Sequence, residues 1–245
     1  MQASLDKKSM TKNQSHEYQS KGLILGLESS GAHASVALIS DGEVVSQLVR
    51  HERHGHASYF VDMAADCLAE AGFNFKDIRT IAAGIGPGSF TGLRTCLSAA
   101  KGFVLAGDLK GCGIDGLRAR AFALQTHYKA DGKDIPPIII ACADTRRGPY
   151  FWQAFDETLK PISTIQEALA EDIPSQASAL YSSFIIAMPV DAELETCRLL
   201  SCYVKMDMMA KDIALLALSD DIAGISPAPL DPLYVAQPKL GPSAA

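Results

Sequence analysis

The apolar positions change period several times along the chain, and each change marks an element. Residues 23–30 read LILGLESS, an apolar run closed by an acid and two hydroxyls. ASVALIS (34–40) then alternates, Asp41-Gly42 supplies hairpin-turn chemistry, and EVVSQLVR (43–50) alternates again, which predicts three antiparallel strands. Phe60, Met63, Ala64, Cys67, Leu68 and Ala71 recur at helical spacing with Gly72 just beyond, predicting a helix and its stop. IRTIAA (78–83) predicts a fourth strand. The glycine-rich GIGPGSFTGLR (84–94) follows, then a second helix over 92–106 and a short strand at GCGI (111–114).

The order βββαβα is that of one half of the actin/sugar-kinase/Hsp70 plan. The second half opens with an echo of the first. Residues 23–41, LILGLESSGAHASVALISD, and residues 138–156, IIIACADTRRGPYFWQAFD, both run apolar strand, acid and hydroxyl, turn, second strand, acid. Such an echo predicts an internal repeat, although any two hairpins resemble each other at this level of detail. Past residue 156 the pattern weakens to one helix near 206–219 and a proline-broken end. The expected architecture is therefore α/β with two lobes, each a mixed sheet with flanking helices, the second shortened. The expected boundaries are a disordered tail at 1–21, a first lobe at 22–114, a second at 115–235 and a C-terminal tail at 236–245.

Composition sharpens this picture. With 48% apolar residues the chain can bury a sizeable core, yet no apolar run is long enough to span a bilayer. No secretory leader pattern opens the chain. Residues 1–21 are polar and unpatterned, and carry four Lys against two acids, so the remainder holds a net charge of -8 where the whole chain holds -6. An acidic body argues against tight nucleic-acid binding by this chain alone. Cysteines stand at 67, 96, 112, 142, 197 and 202 without a C-x-x-C pair. The first four lie in apolar patterns and read as small core residues, as in a reduced, cytosolic protein.

The candidate chemistry gathers in three places. In the glycine loop, Gly86, Pro87, Gly88, Ser89, Phe90, Thr91, Gly92 and Arg94 lack the lysine of a P-loop and the third glycine of a dinucleotide fingerprint. Two readings stay open: an anion site at the following helix N-terminus, or a tight strand-to-helix turn capped by Ser89 or Thr91. At the two hairpin turns, Glu28, Ser29 and Ser30 in the first and Asp144, Arg146 and Arg147 in the second stand where a metal-holding acid and phosphate donors belong in this plan. After Gly148 only Gly224 and Gly241 remain, so no glycine-rich adenosine clasp is available and the site reads as vestigial. His51, His54 and His56 read as solvated loop histidines, and only His127 follows them. No catalytic residue, metal or cofactor is expected.

GIGPGSFTGLR with AAKGF after it, LILGLESS, His56 before the first helix, and ADTRRGPYFW resemble the TsaB (YeaZ) family, also labelled glycoprotease-like, over residues 22–155. The resemblance implies an actin/Hsp70-like (ASKHA) fold and a non-catalytic, cytoplasmic subunit. Such a subunit binds and activates TsaD, with TsaE completing the bacterial complex that forms N6-threonylcarbamoyladenosine at position 37 of ANN-decoding tRNAs. It would touch tRNA only indirectly, pair with itself when TsaD is absent, and have no membrane role. TsaD relatives place two metal-binding histidines where this chain reads DGLRARAFAL (115–124). Glu28 departs from the aspartate usual in TsaB, and PLYVAQ (232–237) only partly resembles the family's terminal segment. The family's partner surface would here involve Phe60, Met63, Ala64 and Cys67 on the first helix, and Cys96, Ala99, Ala100 and Phe103 on the second. Ordinary core packing is the other reading of those eight. A stand-alone kinase or ATPase of the same fold is the alternative function, and a metallopeptidase the least supported.

Overall fold

The computed structural model describes residues 22–51, 58–192 and 202–235. Strands β1 (Leu23–Glu28), β2 (Ala34–Ser40) and β3 (Glu43–Arg50) form an antiparallel meander. Strands β4 (Ile78–Gly86) and β5 (Lys110–Asp115) join it in parallel, giving the order β3-β2-β1-β4-β5. Every residue of β1 is buried, since the strand is central and covered on both faces. That is why its sequence reads as an unbroken apolar run while the edge strand β3 is more exposed. Asp41 and Gly42 both take positive φ, 51° and 85°, as a two-residue hairpin turn with the strands' twist requires.

The second sheet contains β6 (Ile139–Asp144), β7 (Tyr150–Phe155), β8 (Gln166–Ala168), β9 (Ile185–Met188) and β10 (Tyr203–Lys205), in the order β10-β9-β6-β7-β8. Outward from its first strand, the pairings match those of the first sheet: two antiparallel neighbours on one side, two parallel on the other. The repeat seen in two hairpins therefore extends to both sheets, and the two-lobed plan expected from the sequence is the fold observed.

Helices α1 (Ser58–Ala71) and α2 (Phe90–Gly107) cover the outer face of the first sheet, packing Phe60, Cys67, Cys96, Leu97 and Ala100 on Leu25, Leu27 and Val36. Helix α4 (Ile173–Ser178) covers the outer face of the second, against Trp152 and Met188. Between the sheets lie α3 (Gly116–Ala130) and α5 (Ala210–Ile222), each following the last strand of its own sheet. They are exchanged: α3 packs on β6, and α5 on β1 and β2. Gly26 makes the second contact possible, because a Cβ there would stand 2.3 Å from the Ala210 carbonyl oxygen. One core cluster joins Ile24, Ala82, Leu117, Ile139, Ile213 and Leu216 across both sheets and both helices.

The strands of the two sheets separate after Asp115, but their packing is shared. After α5 the chain returns to the first lobe, where Gly113 donates to the Ala228 carbonyl (2.8 Å), Leu230 enters the core and Leu233 donates to Ile85 (2.8 Å). The helix expected near 206–219 starts later, at Ala210, because Met209 is extended and Asp212 accepts its amide hydrogen bond at 2.9 Å. Cys67, Cys96, Cys112 and Cys142 are buried free thiols, as expected, and Cys202 is half-buried. The tails at 1–21 and 236–245, His54, His56 and Cys197 lie outside the described residues.

Candidate functional site

The two hairpin turns face each other across the interlobe cleft. In the first, Glu28 ends β1 with 1% of its surface exposed. Its Oε1 accepts hydrogen bonds from the Ser30 amide and hydroxyl, while Oε2 has no partner. Burial pushes the Glu28 carboxyl above its ordinary range, against the opposing pull of the Ser30 hydrogen bonds and the Arg120 charge. Arg120, one turn into α3, is also buried, 5% exposed; its Nη1 donates to the Met206 carbonyl (2.6 Å), its Nε is unpartnered, and burial pulls its pKa down.

The glycine loop wraps this turn. A Cβ at Gly88 would lie 2.6 Å from the Ser30 carbonyl oxygen, and one at Gly92 only 1.9 Å from that of Ser29. The Ser89 amide donates to Ser30 O (2.9 Å), and Ser89 Oγ caps α2 by accepting from the Gly92 amide (3.3 Å). Of the two readings left open by the sequence, the capped tight turn is the one realised: the glycines seat α2 against the β1–β2 turn, and these two amides are spent inside the chain. Gly86 and Pro87 are buried beneath it, joined by a cis peptide bond. Thr91 is exposed, as are Phe90 and Arg94, whose guanidinium lies 3.8 Å from the Phe90 ring centre and donates to the Tyr234 hydroxyl (3.3 Å).

In the second turn Arg146 takes φ 59° with its amide on Asp144 Oδ1 (2.6 Å). Its Nη1 meets Asp144 Oδ2 and Asp191 Oδ2, each at 3.1 Å, and Nη2 crosses the cleft to the Gly31 carbonyl at 3.3 Å. The structure therefore brings Ser30, Asp144 and Arg146 to one cleft, with Glu28 buried beneath the first turn, Ser29 behind the glycine loop and Arg147 out at the surface. Arg120 and Asp191 complete the lining and were not singled out in the sequence. For Arg120 a signal exists: it shares a helical face with Leu117 and Leu124, where a charge must be buried. Asp191, in a turn after β9, carries none.

One expectation is corrected. Phe60, Met63, Ala64, Cys67, Cys96, Ala99 and Ala100 are buried and Phe103 packs against the same core, so these eight side chains bind α1 and α2 to their own sheet. The opposite faces of the two helices leave Val61 and Leu105 53% and 86% exposed. His51 is exposed, as expected, and it has a neighbour the sequence did not suggest: its Nδ1 lies 3.1 Å from His33 Nδ1, and His33 Nε2 lies 3.3 Å from Asp207 Oδ2. Among the described residues no group of three or more His, Cys, Asp or Glu side chains is placed to hold a metal, and no helix is long and apolar enough to cross a membrane.

Fold and cleft together define a two-lobed protein of the actin/Hsp70/sugar-kinase class whose interlobe site is bridged by its own side chains. Residues 43–212 match the family described as TsaD: tRNA N6-adenosine threonylcarbamoyltransferase. The chain belongs to that family, and it is similar to proteins named for TsaB, of tRNA threonylcarbamoyladenosine biosynthesis. It is 31% identical to the TsaB protein of Escherichia coli over 132 residues, 54% of each chain. It is 30% identical to that of Haemophilus influenzae over 140 residues, 56% of each. The chain thus spans about half the length of the curated relatives it matches. Among solved structures, YeaZ from Pseudomonas aeruginosa superposes with a TM-score of 0.66 at 20% identity, covering 87% of this chain and all of that one. A second Pseudomonas aeruginosa structure, of an uncharacterised protein described as similar to peptidase YeaZ, gives 0.69 at 21% identity over 88% of this chain and all of that one.

Proposed function

We propose that the chain is a non-catalytic, cytoplasmic subunit that binds and activates a TsaD-type threonylcarbamoyltransferase, within a complex completed by a TsaE-type ATPase. The observation that carries this reading is Arg146, which fills the interlobe cleft with its own contacts to Asp144, Asp191 and Gly31. A phosphate or metal in that cleft would have to displace a guanidinium already matched by two carboxylates. What stands in the role of a site is then a surface: the outer faces of α1 and α2, with Val61 and Leu105 exposed. The same surface pairs two copies of the chain when TsaD is absent, and tRNA is reached through the partner alone.

Co-expression with the TsaD protein of the same source tests this. The reading expects co-purification, and threonylcarbamoyladenosine formation by TsaD and TsaE that depends on this chain. Turnover by the purified chain alone, or saturable ATP binding with phosphate release, would favour the stand-alone kinase or ATPase and overturn it.

A further inference from the structure

The register of β2 with β3 pairs Ala34 with Arg50. The next position outward places His33 opposite His51, a cross-strand pair that neither residue announces alone. The rings meet edge to face with centroids 4.4 Å apart and their Nδ1 atoms 3.1 Å apart. Two nitrogens bound to one tetrahedral zinc ion, at about 2.05 Å each, lie about 3.3 Å from each other. Behind His33, Asp207 Oδ2 lies 3.3 Å from Nε2. A carboxylate there holds the ring proton on Nε2 and presents the Nδ1 lone pair to the neighbouring ring, the arrangement that second-shell acids impose on metal-binding histidines. Asp207 comes from the approach to α5, so the pair is supported from outside its own hairpin.

We propose that His33 and His51 form a two-imidazole site for a borderline divalent cation of the Zn²⁺, Ni²⁺ or Cu²⁺ type, with Asp207 as its orienting carboxylate. In the metal-free pair, neutral His51 donates through Nδ1 to His33. On binding, His51 takes its other tautomer, with the proton on Nε2, so both Nδ1 lone pairs reach the ion without net loss of a proton. The remaining coordination positions belong to water, since His51 is exposed and His33 and Asp207 are only partly covered. The bound ion polarises His33 Nε2–H and strengthens its hydrogen bond to Asp207, tying the β2–β3 hairpin to the lead-in of α5.

The test uses the full chain, stripped with EDTA and titrated calorimetrically with Zn²⁺. One saturable site is expected, and His33→Gln or His51→Gln should each abolish it. Asp207→Asn should keep the stoichiometry and weaken affinity about tenfold. No saturable heat with the unsubstituted protein, or undiminished binding in the His33→Gln/His51→Gln double variant, would overturn the proposal. Cu²⁺-induced broadening of amide NMR signals in the unsubstituted protein locates the ion without any substitution. Loss centred on residues 33 and 51 supports the site; loss centred elsewhere overturns it.

Discussion

Glu28 is a carboxyl cut off from water with one oxygen doubly bonded to Ser30 and the other bonded to nothing. Its folded-state pKa is raised by burial above the ordinary 4.5. The native state therefore binds its proton more tightly than the unfolded chain. The associated stability is full below about pH 4.5 and is lost as pH rises through the elevated folded value. Glu28→Gln, which keeps the acceptor for Ser30, should flatten the fall in stability over that window relative to the parent. Urea denaturation of both proteins at stepped pH reads the difference, and a parallel pair of curves would refute it. Gly92 gives a second prediction. A Cβ there would stand 1.9 Å from a backbone oxygen that cannot move aside, so Gly92→Ala should cost about 1–3 kcal/mol in chemical denaturation. The sequence made the loop conspicuous but left its purpose open, because a glycine required for close packing and one required for an anion look the same until its neighbour is known.

Helices α1 and α2 present two faces with different tasks. Ala100 is fully buried against the first sheet, so Ala100→Glu places an uncompensated carboxylate in apolar packing and should lower the unfolding free energy by several kcal/mol. Leu105 is 86% exposed on the same helix. Leu105→Glu should leave stability within about 0.5 kcal/mol yet weaken capture of TsaD, if the proposed surface is right. Thermal melts beside a pull-down separate the two, and a Leu105→Glu protein that retains full TsaD binding would count against that surface. Elements of the first lobe were legible because their patterns are long and regular: β2, β3 and α1 declare their period, and β1 is an unbroken apolar run. Strands β8, β9 and β10 run only three, four and three residues, too short to display one, and are held by pairing with neighbours. The pattern of α3 is broken, since Arg118, Arg120 and Gln125 interrupt the face that Leu117, Ala121 and Leu124 mark. Their partners, Asp220, the Met206 carbonyl and the Glu157 carbonyl, lie far along the chain.

At the scale of the whole molecule, α3 and α5 hold the lobes together. Arg118 of α3 grips Asp220 of α5 with two hydrogen bonds of 2.6 and 2.7 Å, and the acid is 10% exposed. Arg118→Ala strands that carboxylate and should cost on the order of 2 kcal/mol, with a single cooperative transition moving to lower temperature. Two separated transitions would show that the lobes melt independently, contrary to their shared core. The hairpin echo gave notice of two related halves, but the exchange of their last helices was invisible in the sequence. Each helix is apolar enough for either sheet, and only the crossing of the chain decides which it meets.

That exchange has a consequence for synthesis on the ribosome. The first sheet is complete in strand order once residue 115 has been made, yet the inner face of β1 and β2 stays uncovered until α5 arrives, almost a hundred residues later. The nascent first lobe must therefore wait with Ile24 and Ile39 open to water and to chaperones. Growth from the N-terminus does not deliver a finished half followed by another. The shared core is complete only once α5, the last described helix, has been made.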